Sequence, residues 1–145
     1  MTTLKLSTFI IVFSVTALFS CNTKTHTKDE IELSMKKYDH LIQKMDTDSI
    51  ALLYTENGDL GDVAHGRDSI RKFLASFKSY KVLSQFSTTT SIKIIADTSI
   101  QKGVYSQVTV APTNDTLKIK GEYEATWIWI VGDGWHIKHM KTKAL

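Results

Sequence analysis

Cysteine is almost absent from the 145-residue chain: Cys21 is the only one, so no internal disulfide can form. The domain beyond it has no thiol at all, which excludes thiol catalysis and cysteine-based metal sites inside the fold. A strong excess of charge is also missing. The formal net charge is +3, falling to about +2 once Lys5 is removed with the leader described below. The lysines are scattered and form no basic run interleaved with aromatics, so nucleic acid is not an expected partner. No apolar run is long and clean enough for a comfortable membrane span. There is no internal repeat, no low-complexity tract, no glycine-rich phosphate loop and no Ser-His-Asp arrangement. No HxH, HExxH or His/carboxylate cluster points to a metal, and no cofactor is implied.

What is present begins with an export signal. Lys5 supplies a short positive region, and Leu6 to Phe19 is apolar and uncharged, as a signal core should be. Leu18-Phe19-Ser20-Cys21 follows. It resembles the bacterial lipobox, in which an apolar residue lies three before the cysteine and a small residue just before it. That resemblance implies cleavage after Ser20, lipidation of Cys21 and a membrane as partner. Asn22 stands where an aspartate would resemble an inner-membrane retention signal, which favours the outer membrane, periplasmic or surface-exposed. Asn22 to Lys28 is polar and reads as a flexible tether. The expected organisation is therefore a signal at 1–20, a lipidated Cys and tether at 21–28, and one domain at 29–145. About 125 residues suffice for a single core without disulfides.

From Asp29 the pattern is helical. Ile31, Met35, Tyr38, Leu41/Ile42 and Met45 recur at spacings of three and four on one face. Asp29 and Glu30 lie where the helix dipole favours negative charge. Asp48 or Thr47 is placed to cap a second helix, Ser49 to Tyr54. Asn57-Gly58 reads as a turn and Leu60 to Val63 as a short strand. Gly66 precedes a third helix with Ile70, Phe73, Leu74 and Phe77 on one face. Three long strands follow, at Phe86 to Ala96, Gln101 to Ala111 and Leu117 to Val131, and Gly132-Asp133-Gly134 turns into a fourth at Trp135 to Met140. Helices first and a meander later give an α+β class.

Three stretches carry a family resemblance. They are Leu52-Leu53-Tyr54-Thr55-Glu56-Asn57, Gly66 to Leu74, and Trp129-Ile130-Val131-Gly132-Asp133-Gly134-Trp135-His136-Ile137. In this order and spacing they resemble the nuclear transport factor 2-like superfamily, its SnoaL-like branch in particular. The resemblance implies a cone: a curved antiparallel sheet wrapped around a long N-terminal helix plus two shorter helices, with a pocket at the open end. Laid without gaps on the ketosteroid isomerase pattern, Tyr38 falls at the oxyanion-donor tyrosine and Asp62 at the general base. Thr126 falls near the place of that enzyme's protonated aspartate, a departure that leaves the catalytic set incomplete.

Residue patterning adds the rest of the candidate site. Tyr123, Ala125, Trp127 and Trp129 alternate onto one strand face, opposite Glu122, Glu124 and Thr126. The aromatic face either lines a pocket for an apolar ligand, packs in the core, or forms a sheet-face dimer contact. Tyr54, His65, Tyr105, Thr126, Trp127 and Trp129 are the candidate pocket residues, with Asp62 and Tyr38 as the candidate catalytic pair. His136 and His139, three apart, point to opposite faces of a regular strand and so cannot clasp one metal. The expectation is an envelope lipoprotein that binds a small apolar molecule or acts as a non-catalytic accessory. The alternatives are a homodimeric interaction module and a proton-transfer enzyme using Asp62 and Tyr38.

Overall fold

A computed structural model of the protein describes residues 25–145. The export signal, Cys21 and the first residues of the expected tether lie outside the described residues. Helix α1 spans Lys28–Lys44. Thr27 caps it by accepting from the Glu30 amide, Asp29 and Glu30 occupy the first turn, and Met45 closes it in the left-handed region. Ile31 and Met35 bury the apolar stripe, and Asp39 is buried with them. Helix α2 is Thr47–Leu52. Its cap is Asp46, one residue before the expected ones, accepting from Ser49 N at 3.1 Å. That amide holds the Asp46 carboxyl below the usual range.

Strand β1 covers Tyr54–Leu60 and β2 is the pair Ala64–His65. The expected turn at Asn57-Gly58 is instead the interior of β1. Gly58 is there because the strand presses on its neighbour: a Cβ would lie 2.9 Å from the Ile137 carbonyl oxygen. Helix α3, Arg67–Ala75, starts after Gly66 at φ 79°, and buries Ile70 and Leu74. The long strands are β3 Lys81–Ile95, β4 Thr98–Val110, β5 Thr116–Ile130 and β6 Gly134–Ala144.

The six strands form one sheet in the order β2-β1-β6-β5-β4-β3. Every neighbouring pair is antiparallel except β1 with β6, which is parallel and makes the sheet mixed. Bulges interrupt β3 twice and β6 once, and each adds local bend and twist. The β6 bulge pairs Thr126 with His139 but Trp127 with Ile137, leaving Lys138 extra. It therefore overturns the expectation for the last strand: His136, opposite Ile128, and His139, opposite Thr126, both lie on the outer face.

The inner face packs against the helices. Trp127, Tyr54, Ile31, Ile50, Ile70 and Ile137 are fully buried there. The β3 edge of the sheet is covered by α1, whose polar side chains take up its spare backbone groups. Gln43 donates to the Leu83 carbonyl at 2.9 Å, and Asp39 accepts from the Ser87 amide at 2.8 Å.

Candidate functional site

Two chambers open between the helices and the inner face of the sheet. The outer one, of about 400 Å³, is bounded by Met45, Phe77, Tyr80, Val82, Leu117 and Ile119. The inner one, of about 240 Å³, is bounded by Met35, Tyr38, Gln85, Ser87, Tyr105 and Tyr123, with Leu60, Met140 and Thr142 beside them. Ile42, Phe73, Leu74 and Gln107 line both, so the chambers adjoin across a neck made by α1, α3 and β4. None of the side chains lining either chamber is charged.

Glycines shape the wall. Tyr105 on β4 pairs with Gly121 on β5, and Gly103 on β4 pairs with Tyr123 on β5. In each pair the ring lies over the glycine. A Cβ on Gly121 would collide with the Tyr105 ring, and one on Gly103 would lie 2.7 Å from the Tyr123 hydroxyl. Both rings can therefore lie low on the sheet and leave room above them.

Tyr38, Tyr54 and Tyr123 stay protonated. Burial pushes Tyr38 up to about 12, although its side chain keeps partial contact with the chamber, and burial raises Tyr54 well above its ordinary range. Tyr123 is raised for the same reason. The Tyr54 hydroxyl approaches that of Tyr38 without reaching full hydrogen-bond geometry. Behind the Tyr123 ring runs a relay. Trp127 Nε1 donates to Gln101 Oε1 at 3.0 Å, and Gln101 Nε2 donates to Thr89 Oγ1 at 2.8 Å. Thr89 Oγ1 lies 3.4 Å from the Tyr123 hydroxyl.

Of the residues singled out in the sequence, Tyr38 and Tyr105 line the inner chamber, and Tyr54 is buried beside Tyr38. The others lie elsewhere. Asp62 is exposed in the turn between β1 and β2 and lines neither chamber, so it is not brought to the cavity that Tyr38 occupies. His65 is exposed on β2, where its Nδ1 lies 2.8 Å from Asp59 Oδ1. Thr126 alternates to the outer face, opposite His139. Trp127 is on the expected inner face but is 0% exposed and belongs to the core.

Trp129 lines neither chamber and pairs with Trp135 across the β5–β6 hairpin. With Trp135 it flanks the His26 ring, at centroid distances of 4.6 and 4.7 Å respectively. His26 Nδ1 is 3.0 Å from Glu30 and Nε2 is 3.2 Å from Asp97, and Trp135 Nε1 donates to Glu30. His26 is thus a docked residue and no part of a free tether; its side chain is 2% exposed.

The outer face of the sheet carries charge where the aromatics are absent. Lys102 and Glu124 pair at 2.7 Å, and Glu122 lies opposite Lys143. At its β1 side, Asp59 is shared between His65 and His139, the second at 2.7 Å. His65, with His139 adding to its effect, lowers the Asp59 carboxyl below its ordinary value. Among the described residues no three His, Cys, Asp or Glu side chains are grouped to hold a metal ion.

Sequence reasoning missed Gln85, Ser87 and the buried Asp39 that bonds both. The signal was legible: Asp39 stands four residues after Met35, inside the apolar stripe of α1, where a carboxylate needs partners.

The family model described as a SnoaL-like domain matches residues 23–141. None of the curated proteins compared with the chain matches it in sequence. Among solved structures it is similar to a ketosteroid isomerase-like protein from Erwinia carotovora atroseptica, at a TM-score of 0.72 and 15% identity, covering 81% of this chain and 95% of that one. It is also similar to a nuclear transport factor 2-like superfamily protein from Salmonella enterica serovar Typhimurium, at 0.69 and 15%, covering 80% and 89%. A third is a nuclear transport factor 2-like protein with a cystatin-like fold from Novosphingobium aromaticivorans, at 0.68 and 16%, covering 81% and 80%. At these identities the likeness is one of fold.

Proposed function

The chain belongs to the SnoaL-like domain family, and from that premise we propose that it binds a small, neutral, mainly apolar molecule in its cone cavity. One observation carries the reading: the two adjoining chambers are lined without a single charged side chain. Apolar and aromatic groups dominate the outer chamber, while phenols, amides and a serine concentrate in the inner one. Such a division suits a ligand with an apolar body and one polar end. An anionic ligand finds no cation in the lining and has the Asp39 carboxylate just behind the β3 wall.

The proton-transfer alternative required Asp62 and Tyr38 to face one cavity, and Asp62 stands outside it. Binding is therefore the stronger reading. We further propose that the protein is held at the cell envelope by lipid on Cys21, on the strength of the Leu18 to Cys21 match.

A thermal-shift screen with neutral ring compounds tests the binding. A true ligand raises Tm in proportion to its concentration. Ile42→Trp, which fills the neck, should abolish the shift. A flat response to all neutral compounds, or a shift indifferent to Ile42→Trp, would count against the cavity. Mass spectrometry of membrane-extracted protein tests the anchor, since an unacylated Cys21 would remove it.

A further inference from the structure

Asp39 is a carboxylate buried in the fold. It is on the buried stripe of α1, and it receives three hydrogen bonds from β3: Gln85 Nε2 at 3.1 Å, Ser87 N at 2.8 Å and Ser87 Oγ at 2.8 Å. Covering the β3 edge accounts for one of these, the amide. The other two involve side chains that line the inner chamber.

A carboxylate accepting from three donors dictates how each donor is oriented. The amide of Gln85 must turn its nitrogen to Asp39, because its oxygen would meet a carboxylate oxygen there. The Gln85 oxygen is thereby directed away from Asp39. The Ser87 hydroxyl spends its only proton on Asp39, which leaves lone pairs alone for anything else. Both side chains would otherwise be able to turn either way.

We propose that Asp39 sets the hydrogen-bond polarity of the cavity, making the β3 wall an acceptor surface, so that the ligand is a neutral apolar molecule bearing an O–H or N–H donor at its inner end. This rests on the cavity-binding reading and goes beyond it by naming the group recognised. A hydroxyl suits the site best. It donates to the β3 wall and can accept in turn from a protonated phenol of the inner chamber. A ketone, ether or ester can accept from such a phenol but brings no donor for the Gln85 and Ser87 lone pairs, so it meets only half of the site. Asp39 does not touch the ligand in this scheme; it is a positioning residue that acts through Gln85 and Ser87.

A matched pair of probes tests the idea: 2-naphthol and its methyl ether, 2-methoxynaphthalene, titrated calorimetrically into the purified protein. They share a ring system and differ in the donor. The wild type should bind 2-naphthol about tenfold or more tightly than the ether, because the ether leaves the wall's acceptors unpaired. Asp39→Asn can donate to Gln85 and Ser87 and frees both to reorient, so the preference should fall to about threefold or less, whatever becomes of the affinity itself. Ser87→Ala, a smaller change in a half-buried strand position, should lower the same ratio and serves if Asp39→Asn does not fold. Equal binding of the two probes by the wild type, or a full preference retained in the variants, overturns the acceptor wall and leaves the cavity reading intact. Binding of neither probe, or binding indifferent to Ile42→Trp, overturns the cavity reading and the acceptor wall together.

Discussion

Replacing Trp127 by Phe probes the relay behind the inner chamber. Trp127 and Gln101 are each 0% exposed, and the indole N–H is the donor seen by Gln101 Oε1. Phe keeps one ring and loses the other, together with the donor. The lost packing costs about 1–2 kcal/mol, at the lower end for partial truncation of a large core residue. The orphaned amide oxygen costs about 1–3 kcal/mol more, since water does not reach it. Trp127→Phe should thus lose about 2–5 kcal/mol, a large part of the stability of a domain this size. Urea unfolding followed by circular dichroism measures it, with the m-value checked for constancy. A double-mutant cycle separates the two contributions. Adding Gln101→Leu removes the orphan, so the pair should be more stable than the sum of single losses predicts, by about 1–3 kcal/mol. A loss below about 1 kcal/mol for Trp127→Phe, or strict additivity with Gln101→Leu, would refute the relay as a structural element.

Three further outcomes follow from the same geometry. The Tyr38 phenol is raised from its ordinary 10.0 to about 12, so the stability it contributes is complete below pH 10 and is lost as pH rises through the folded value. Tyr38→Phe should therefore flatten the fall in stability at alkaline pH, and an unchanged slope would contradict the burial of that group. Asp59 lies below its ordinary 3.8, chiefly through the His65 contact, so its contribution is present above that value and is lost as pH drops through the folded one. Asp59→Asn should make acid unfolding less steep, as read by fluorescence against pH. Gly121→Ala places a Cβ against the Tyr105 ring and 2.5 Å from the Lys143 carbonyl oxygen, so strand and ring must both give way. It should cost about 1–3 kcal/mol and push Tyr105 toward the chamber, weakening probe binding in calorimetry.

Much of the architecture was readable from pattern alone. The stripe from Ile31 to Met45, the glycine before α3 and the alternation along β4 and β5 report local periodicities, which tertiary packing preserved. The expectations that failed did so where a long-range contact overrode a local signal. Asn57-Gly58 has the composition of a turn, yet Gly58 is needed as a strand glycine because β6 lies against it. The β6 bulge, invisible in a run of alternating residues, moved His139 to the face of His136. In the site, alternation assigned the aromatics of β5 to the correct face. It does not say how far along the strand the chambers lie, so it leaves pocket, core and dimer contact open for Trp127 and Trp129, while Tyr123, Ile119 and Leu117 are the β5 side chains that line the chambers. Asp62 was assigned by resemblance to the ketosteroid isomerase pattern, and an ungapped match does not reveal on which side of a turn a carboxylate emerges.

The clamp on His26 fixes more than the start of a helix. From that ring α1 runs 17 residues, about 25 Å, to Met45 at the rim of the outer chamber. With Cys21 acylated as proposed, four residues separate the lipidated position from His26, a reach of about 18 Å even when fully extended. So short a leash would hold the domain close to the bilayer by its His26 end, with Met45 at the other end of α1. Met45 lines the outer chamber, so under that anchoring a ligand would be bound about a helix length from the lipidated position.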